Sequence, residues 1–351
     1  MDNKIIALRH ELHELAEPSG GEFRTKEKLK AFLRENTSLE LIDCGGGFYA
    51  AHREAVRTKT SIALRADFDA LALPCGGYAH LCGHDGHSAA LCSAALELEA
   101  KTFGRDIFLL FQPAEETGEG AEGCLEFLTR EKPDRIYGAH NLPGFEFGKV
   151  FTRAGTFACA SRGLTLKFEG KAAHAAYPEL GVSPAAAVGE LLGIASAPVS
   201  GTDGMVLYTV IGVQMGEKAF GAAAADAEVW LTLRGEYDRE LTALYDRLIA
   251  ASKELAKRYG LGFGYSDCDV FPSTENDPES AATVMRCCDG AELEVPMRWS
   301  EDFGWYLKYC RGAFFGIGAG IDHAPLHSEC YEYPDELLEP TANAFMKLIR
   351  D

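Results

Sequence analysis

The 351-residue sequence contains no apolar run near the roughly 18 residues that a membrane-spanning helix needs, which argues against a membrane span. It has no basic cluster either. Lys and Arg total 34 against 53 Asp and Glu, a formal net charge of −19. Such a surface repels phosphate backbones, so no nucleic-acid partner is expected. The opening segment MDNKIIALRHELHELAE lacks the basic-then-apolar order of a secretory signal. Eleven cysteines are present, but their odd number and irregular spacing do not make a disulfide framework, and reduced thiols of a cytoplasmic protein fit better. Low-complexity tracts are absent as well. What is there is an ordinary soluble composition, 47% hydrophobic and 25% charged, on a chain longer than one hydrophobic core usually serves, so two domains are expected.

The first part alternates short apolar runs with helical patterns. TSIALRA (60–66), RDIFLLF (105–111) and DRIYGAH (134–140) read as buried strands, and HSAALCSAALELEAKTF (87–103) and AEGCLEFLTREK (121–132) as helices between them. That alternation predicts an α/β fold with a mostly parallel sheet covered by helices. After residue 160 the order changes to a strand at GLTLKFEG, a helix at SPAAAVGELLGIAS, strands at GMVLYTVIGV and AEVWLTLRGE, a helix over 238–259 and a strand at LGFGYS. This is the β-α-β-β-α-β order of a ferredoxin-like domain. From about 269 strand and helix alternate again, with a late strand in GAFFGIGAG. The expected organisation is therefore a catalytic domain over 1–161 and 269–351 interrupted by an inserted domain over 162–268.

In open parallel sheets ligands collect beyond the carboxyl ends of the strands. Asp67 and Asp69 follow the first such strand, Glu115 and Glu116 the second, His140 the third, and His323 and His327 the last. Cys82, Gly83 and His84 fall in the turn before the helix expected near His87. Taken singly each has an ordinary explanation as a surface or core residue. Their repeated arrival at one sheet edge does not, and it points to a metal site. A thiolate with imidazoles and carboxylates suits zinc, tolerates manganese, cobalt or nickel, and disfavours magnesium and calcium. The donors are scattered along the chain rather than paired at short spacings, which favours an open catalytic site over a closed structural one. Five or more donors exceed one tetrahedral ion, so two ions about 3.5–4 Å apart are expected. Neighbouring Glu115 and Glu116 diverge, so one can bind metal while the other serves as general base.

The motifs RADFDAL (65–71), HLCGHDGHSAAL (80–91), FQPAEETGEGA (111–121), HNLP (140–143), GKAAHAAYPELGVSP (170–184), SEDFGWYL (300–307) and LHSECYEYPDELL (326–338) resemble, in order and over nearly the whole chain, the dinuclear-metal amidohydrolases of the aminoacylase and carboxypeptidase superfamily. The similarity is to the branch of hippurate hydrolase, N-acyl-amino-acid amidohydrolases and auxin-conjugate amidohydrolases. It implies Cys82, His84, Glu116, His140 and His327 as ligands of two divalent ions, Glu115 as base and Asp69 as an acid that orients a ligand. It also implies that His174, on the inserted domain, reaches the partner subunit's site and polarises the scissile carbonyl, so that this domain is a lid and the interface of a homodimer. Arg234 in LTLRGE matches a lid arginine able to pair with a substrate carboxylate. Two departures stand out. GAAAAD (221–226) replaces a frequent Asn-Val-Ile-Pro-Asp, placing Ala222 where an amide donor is usual, and His327-Ser328-Glu329 replaces His-Ser-Pro. The implied reaction is hydrolysis of a small N-acylated amino acid or related conjugate. Dipeptide hydrolysis is the alternative, as is a metal-binding homologue with reduced turnover.

Two other readings compete. GEGAEG (118–123) has the spacing of a dinucleotide loop, but Glu115, Glu116, Glu119 and Glu122 around it would repel a pyrophosphate. Cys82 could be a thiol nucleophile, yet that chemistry needs only a base and an oxyanion hole, not the further acids and histidines gathered here.

Overall fold

The computed structural model describes every residue except 1, 196, 198 and 200. The chain divides into two compact units, one of residues 1–157, 274–297 and 301–351, the other of 158–273 and 298–300. The second unit thus begins earlier and ends later than the sequence predicts. The reason is that its outer strands, Ala160–Glu169 and Gly262–Phe271, run past the apolar stretches that signalled them.

The first unit is built on an eight-stranded sheet in the order Glu40–Cys44, Gly47–His52, Ile107–Gln112, Ile62–Asp67, Arg135–Pro143, Gly312–Gly320, Val150–Thr152, Ala291–Glu292. Ile107–Gln112, Ile62–Asp67, Arg135–Pro143 and Gly312–Gly320 pair in parallel, and antiparallel strands flank them. All six residues of Ile62–Asp67 and all six of Ile107–Gln112 are buried, as expected of strands covered on both faces. The helix His84–Leu98 is buried nearly all round. It is enclosed by the helices Asn3–Leu15, Phe23–Asn36 and Leu338–Arg350 and by the strand Ile62–Asp67, so no polar stripe is needed. It starts at His84 rather than His87, because Gly83 at φ +97° supplies the left-handed turn that ends the preceding loop. A Cβ at Gly83 would lie 2.5 Å from Asn141 Oδ1, which leaves glycine as the residue that fits. The expected helix over 121–132 is two short ones, Gly120–Gly123 and Glu126–Glu131, broken by a turn at Cys124.

The second unit has the order strand Ala160–Glu169, helix Ala185–Ala195, strands Val206–Met215 and Asp226–Gly235, helix Asp238–Tyr259, strand Gly262–Phe271. Ser196, the last residue of the expected first helix, lies outside the described residues. The sheet order is Val206–Met215, Asp226–Gly235, Ala160–Glu169, Gly262–Phe271, all antiparallel. Burial alternates along Asp226–Gly235, the period-2 signature of a sheet with one covered face. The long helix buries Leu241, Leu244, Leu248, Leu255 and Ala256 along one stripe and ends at Gly260 in the left-handed conformation. Among the described residues no helix is long and apolar enough to cross a membrane.

Candidate metal centre

Three buried residues from two elements begin the site. Cys82 and His84 stand at the N-terminus of the helix His84–Leu98, and His140 lies within Arg135–Pro143, where its Nε2 is 3.3 Å from Cys82 Sγ. One donor atom from each of the three lies within 4.8 Å of the others, and so do those of Cys82, Glu116 and His327 and of His84, Glu115 and Glu116. All five expected ligands and Glu115 are thereby brought together in the first unit.

The backbone is bent to achieve this. Ala114, just before the glutamate pair, has φ +52°, and His327 has φ +64°. Both lie in the left-handed region that non-glycine residues avoid. Ala114 is fixed by its amide donating to Glu22 Oε1 at 2.8 Å, and His327 by its amide donating to the Leu81 carbonyl at 2.8 Å. The second bond fastens the late loop directly to the segment carrying Cys82.

The donor set fits a cation. His84 Nε2 and Glu116 Oε1 are buried and have no hydrogen-bond partner among the described residues, yet they face each other at 3.8 Å. That is too long for a hydrogen bond and within reach of two ligands each about 2.1 Å from one ion. His327 Nε2 stands 3.7 Å from Glu116 Oε2. Asp69 orients the His84 ring. Its Oδ1 faces His84 Nδ1 at 2.9 Å, and its Oδ2 accepts from Ser19 Oγ at 2.7 Å and from the Glu116 amide at 3.0 Å. Holding Nδ1–H this way leaves the Nε2 lone pair for a metal.

The electrostatics are divided: against the lowering effect of burial, Asp67 and then Cys82 hold His84 well above the ordinary imidazole value. Burial and then the Glu301 and Glu116 carboxylates push Glu115 well above the usual carboxylate range, and burial raises Glu116 to about 7. Burial and the His87 ring hold His140 well below the ordinary imidazole value, which favours its neutral, ligating form. Burial, then Glu116, raises the Cys82 thiol. Nucleophile and metal ligand alike need the thiolate, so this shift does not separate the two roles, and it is the acids and imidazoles gathered around Cys82 that favour the ligand.

Several residues had escaped sequence reasoning. His87 is no mere helix-start residue: its Nδ1 is 2.6 Å from Asp67 Oδ1 and its Nε2 is 2.6 Å from Asn141 Oδ1, while Asn141 Nδ2 donates to the Tyr331 hydroxyl at 2.6 Å. Beneath Glu115, fully buried Arg65 holds Asp67, Glu301 and Asp302. The available signal was a charged residue inside an otherwise apolar strand, since a buried charge requires partners. His323, which follows the last strand, turns its Nδ1 to the Ala324 carbonyl and belongs to none of these groups.

His174 and Arg234 lie in the second unit. His174 is exposed on a two-residue strand paired with Ala222, and its Nδ1 accepts from the Ala176 amide at 3.0 Å, which places the ring proton on Nε2. Arg234 donates through Nη1 to the Arg298 carbonyl at 3.1 Å and to Ser300 Oγ at 2.9 Å.

Comparison with known proteins follows the same lines. Residues 63–351 match the family described as Peptidase family M20/M25/M40. The chain is 30% identical over 350 residues to the N-acetyl-L-cysteine deacetylase of Bacillus subtilis, covering 92% of this chain and 82% of that one. It is 28% identical over 352 residues to the N-acetyldiaminopimelate deacetylase of Listeria welshimeri, covering 94% of each. The crystal structure of the Bacillus subtilis YXEP protein, described as a dinuclear metal binding peptidase from the M20 family, superposes with a TM-score of 0.82 at 23% identity, covering 99% of this chain and 97% of that one. The chain belongs to peptidase family M20/M25/M40.

Proposed function

We propose that this protein is a metal-dependent amidohydrolase that removes the acyl group from a small N-acylated amino acid. The observation that carries this reading is the buried, unpartnered pair His84 Nε2 and Glu116 Oε1, 3.8 Å apart and ringed by Cys82, His140 and His327. Cys82, His84, Glu116, His140 and His327 would hold two divalent ions, zinc or manganese by donor chemistry, with cobalt or nickel tolerated. Such ions supply Lewis acidity, lowering the pKa of water toward neutrality and polarising the amide carbonyl.

The chain's own groups do the rest. Glu115 takes the proton of the attacking water and delivers it to the departing amine, a role that suits a carboxylate whose proton affinity burial has raised. Asp69 keeps His84 in its ligating tautomer. His174 offers an Nε2–H donor to the carbonyl oxygen as negative charge develops there. Arg234, with Nη1 already engaged, keeps its Nε–Nη2 edge for the substrate carboxylate. The two deacetylase relatives support an acetyl group, and alanine at 222 supports a substrate that asks little of that position.

The inserted unit serves in this reading as lid and homodimer interface. Its edge strand Val206–Met215 presents Ile211 at 61% exposure with Val210, Val213 and Met215 beside it, whereas the opposite edge carries Asp267 and Asp269. Eleven free cysteines support a reducing, cytoplasmic setting. The test is amine release from a panel of N-acetyl, benzoyl and indole-acetyl amino acids and dipeptides with zinc, manganese, cobalt or nickel added. N-acetyl amino acids are expected to turn over fastest and a chelator to abolish release. Release that survives chelation would defeat the reading.

A further inference from the structure

The floor beneath Glu115 is a single buried guanidinium shared among several acids. Arg65 is fully buried, and its donors are nearly all committed. Nε donates to Gln112 Oε1 at 2.8 Å, Nη1 to Asp67 Oδ2 at 2.6 Å, and Nη2 to Asp302 Oδ1 at 2.8 Å, with Glu301 Oε1 3.0 Å from the same Nη2. Asp302 has no slack, since it also accepts from Gln112 Nε2 and the Ala121 amide. Glu301 is anchored by the Phe303 amide, which donates to its Oε1 at 3.2 Å.

Glu115 is the remaining carboxylate of this group. One of its oxygens lies within 4.8 Å of oxygens of Glu301 and Asp302, yet its carboxylate makes no hydrogen bond among the described residues. Its nearest recorded cationic partner is the His84 ring, with Nε2 3.9 Å from Glu115 Oε2, and a buried guanidinium with an open donor would attract it more strongly.

We propose that Glu301 is a positioning residue for Glu115: by filling the Nη2 side of Arg65 it denies that cation to the Glu115 carboxylate and leaves Glu115 free to face the reacting water. This rests on Glu115 being the base. The role belongs to an acceptor of the right reach rather than to negative charge. Glu301→Gln keeps such an acceptor, and Glu301→Asp keeps the carboxylate but withdraws it by one methylene.

The experiment is steady-state kinetics on both metal-loaded variants, with metal content, thermal melting and a crystal structure of each. Glu301→Asp is expected to lose tenfold or more in kcat with KM within twofold and metal content unchanged, and its Glu115 carboxylate is expected to lie at ion-pair distance from Arg65. Glu301→Gln is expected to stay within threefold of the parent with Glu115 in place. An unaltered kcat in Glu301→Asp, a Glu115 that has not moved there, or a larger loss in Glu301→Gln than in Glu301→Asp overturns the proposal. Glu115→Gln, run alongside, separates the two levels: full activity in it removes the base assignment itself, whereas loss in Glu115→Gln with none in Glu301→Asp removes only the role of Glu301.

Discussion

The two sheets use opposite designs. In the first unit the central strands are buried on both faces, and Asp67, Asp69 and His84 at or beyond their ends are enclosed, while His327 on the late loop keeps its side chain half exposed. In the second the sheet has one covered face, and its candidate residue His174 is exposed, with the Ala176 amide and the Tyr177 ring beside it. A strand end inside a double-covered sheet can hold several charges at fixed spacing because it cannot move. An exposed donor on a short strand can be delivered and withdrawn. Substitutions that loosen a candidate ligand of the first unit should therefore disturb chemistry and metal retention together, and those at Glu115 or His174 chemistry alone.

The sharpest test of that contrast is Glu115→Gln. Its kcat is expected to fall about 10²–10⁴-fold, the usual worth of a general base, with metal content by elemental analysis unchanged. His174→Ala comes next, at about 10²–10³ in kcat, the usual cost of losing one donor to a developing oxyanion. Its melting temperature should stay within a degree or two of the parent, because the side chain is exposed and buries nothing. Asp69→Asn should weaken metal binding about 10–100-fold in a competition titration, by loosening His84. A metal affinity as changed in His174→Ala as in Asp69→Asn would erase the distinction between the units.

The smallest effect concerns the outer helix of the first unit. His13 Nδ1 lies 2.8 Å from buried Asp85, beside Arg9, and the hydrogen bond to Asp85 raises the His13 pKa above its ordinary value. A raised imidazole stabilises the fold fully below about pH 6.5 and loses that contribution as pH climbs through its folded value. His13 is about a third exposed, so solvent screening leaves only some tenths of a kcal/mol to about 1 kcal/mol. The melting-temperature gap between parent and His13→Gln should be widest near pH 5.5 and close by pH 8.5.

Much of this was legible in the sequence, for reasons visible in particular residues. TSIALRA and RDIFLLF are apolar runs of strand length, so the acids just beyond them fall at strand ends. The helix 238–259 carries its stripe and its terminal glycine openly. The start at His84 was hidden because a left-handed glycine, not a Ser, Thr or Asp cap, opens that helix. The break at Cys124 was hidden because Gly120–Gly123 and Glu126–Glu131 share one helical pattern. Asp67, His87 and Asn141 form a chain of contacts between residues up to 54 positions apart, and no local pattern announces it. SEDF at 300–303 was visible as a motif, but its link to Arg65 depends on how the strands are ordered in space.

That last pairing sets a timetable for the newborn chain. Arg65 and Asp302 are 237 positions apart, and the strand bearing Arg65 leaves the ribosome about 10–50 s before its partner acid at ordinary rates of synthesis. Until then the guanidinium has no completed floor to rest in, and His327 has yet to be made. With the proposed ligand set, metal capture would follow release of nearly the whole chain, and a prematurely terminated product would carry most of the candidate ligands and no finished site.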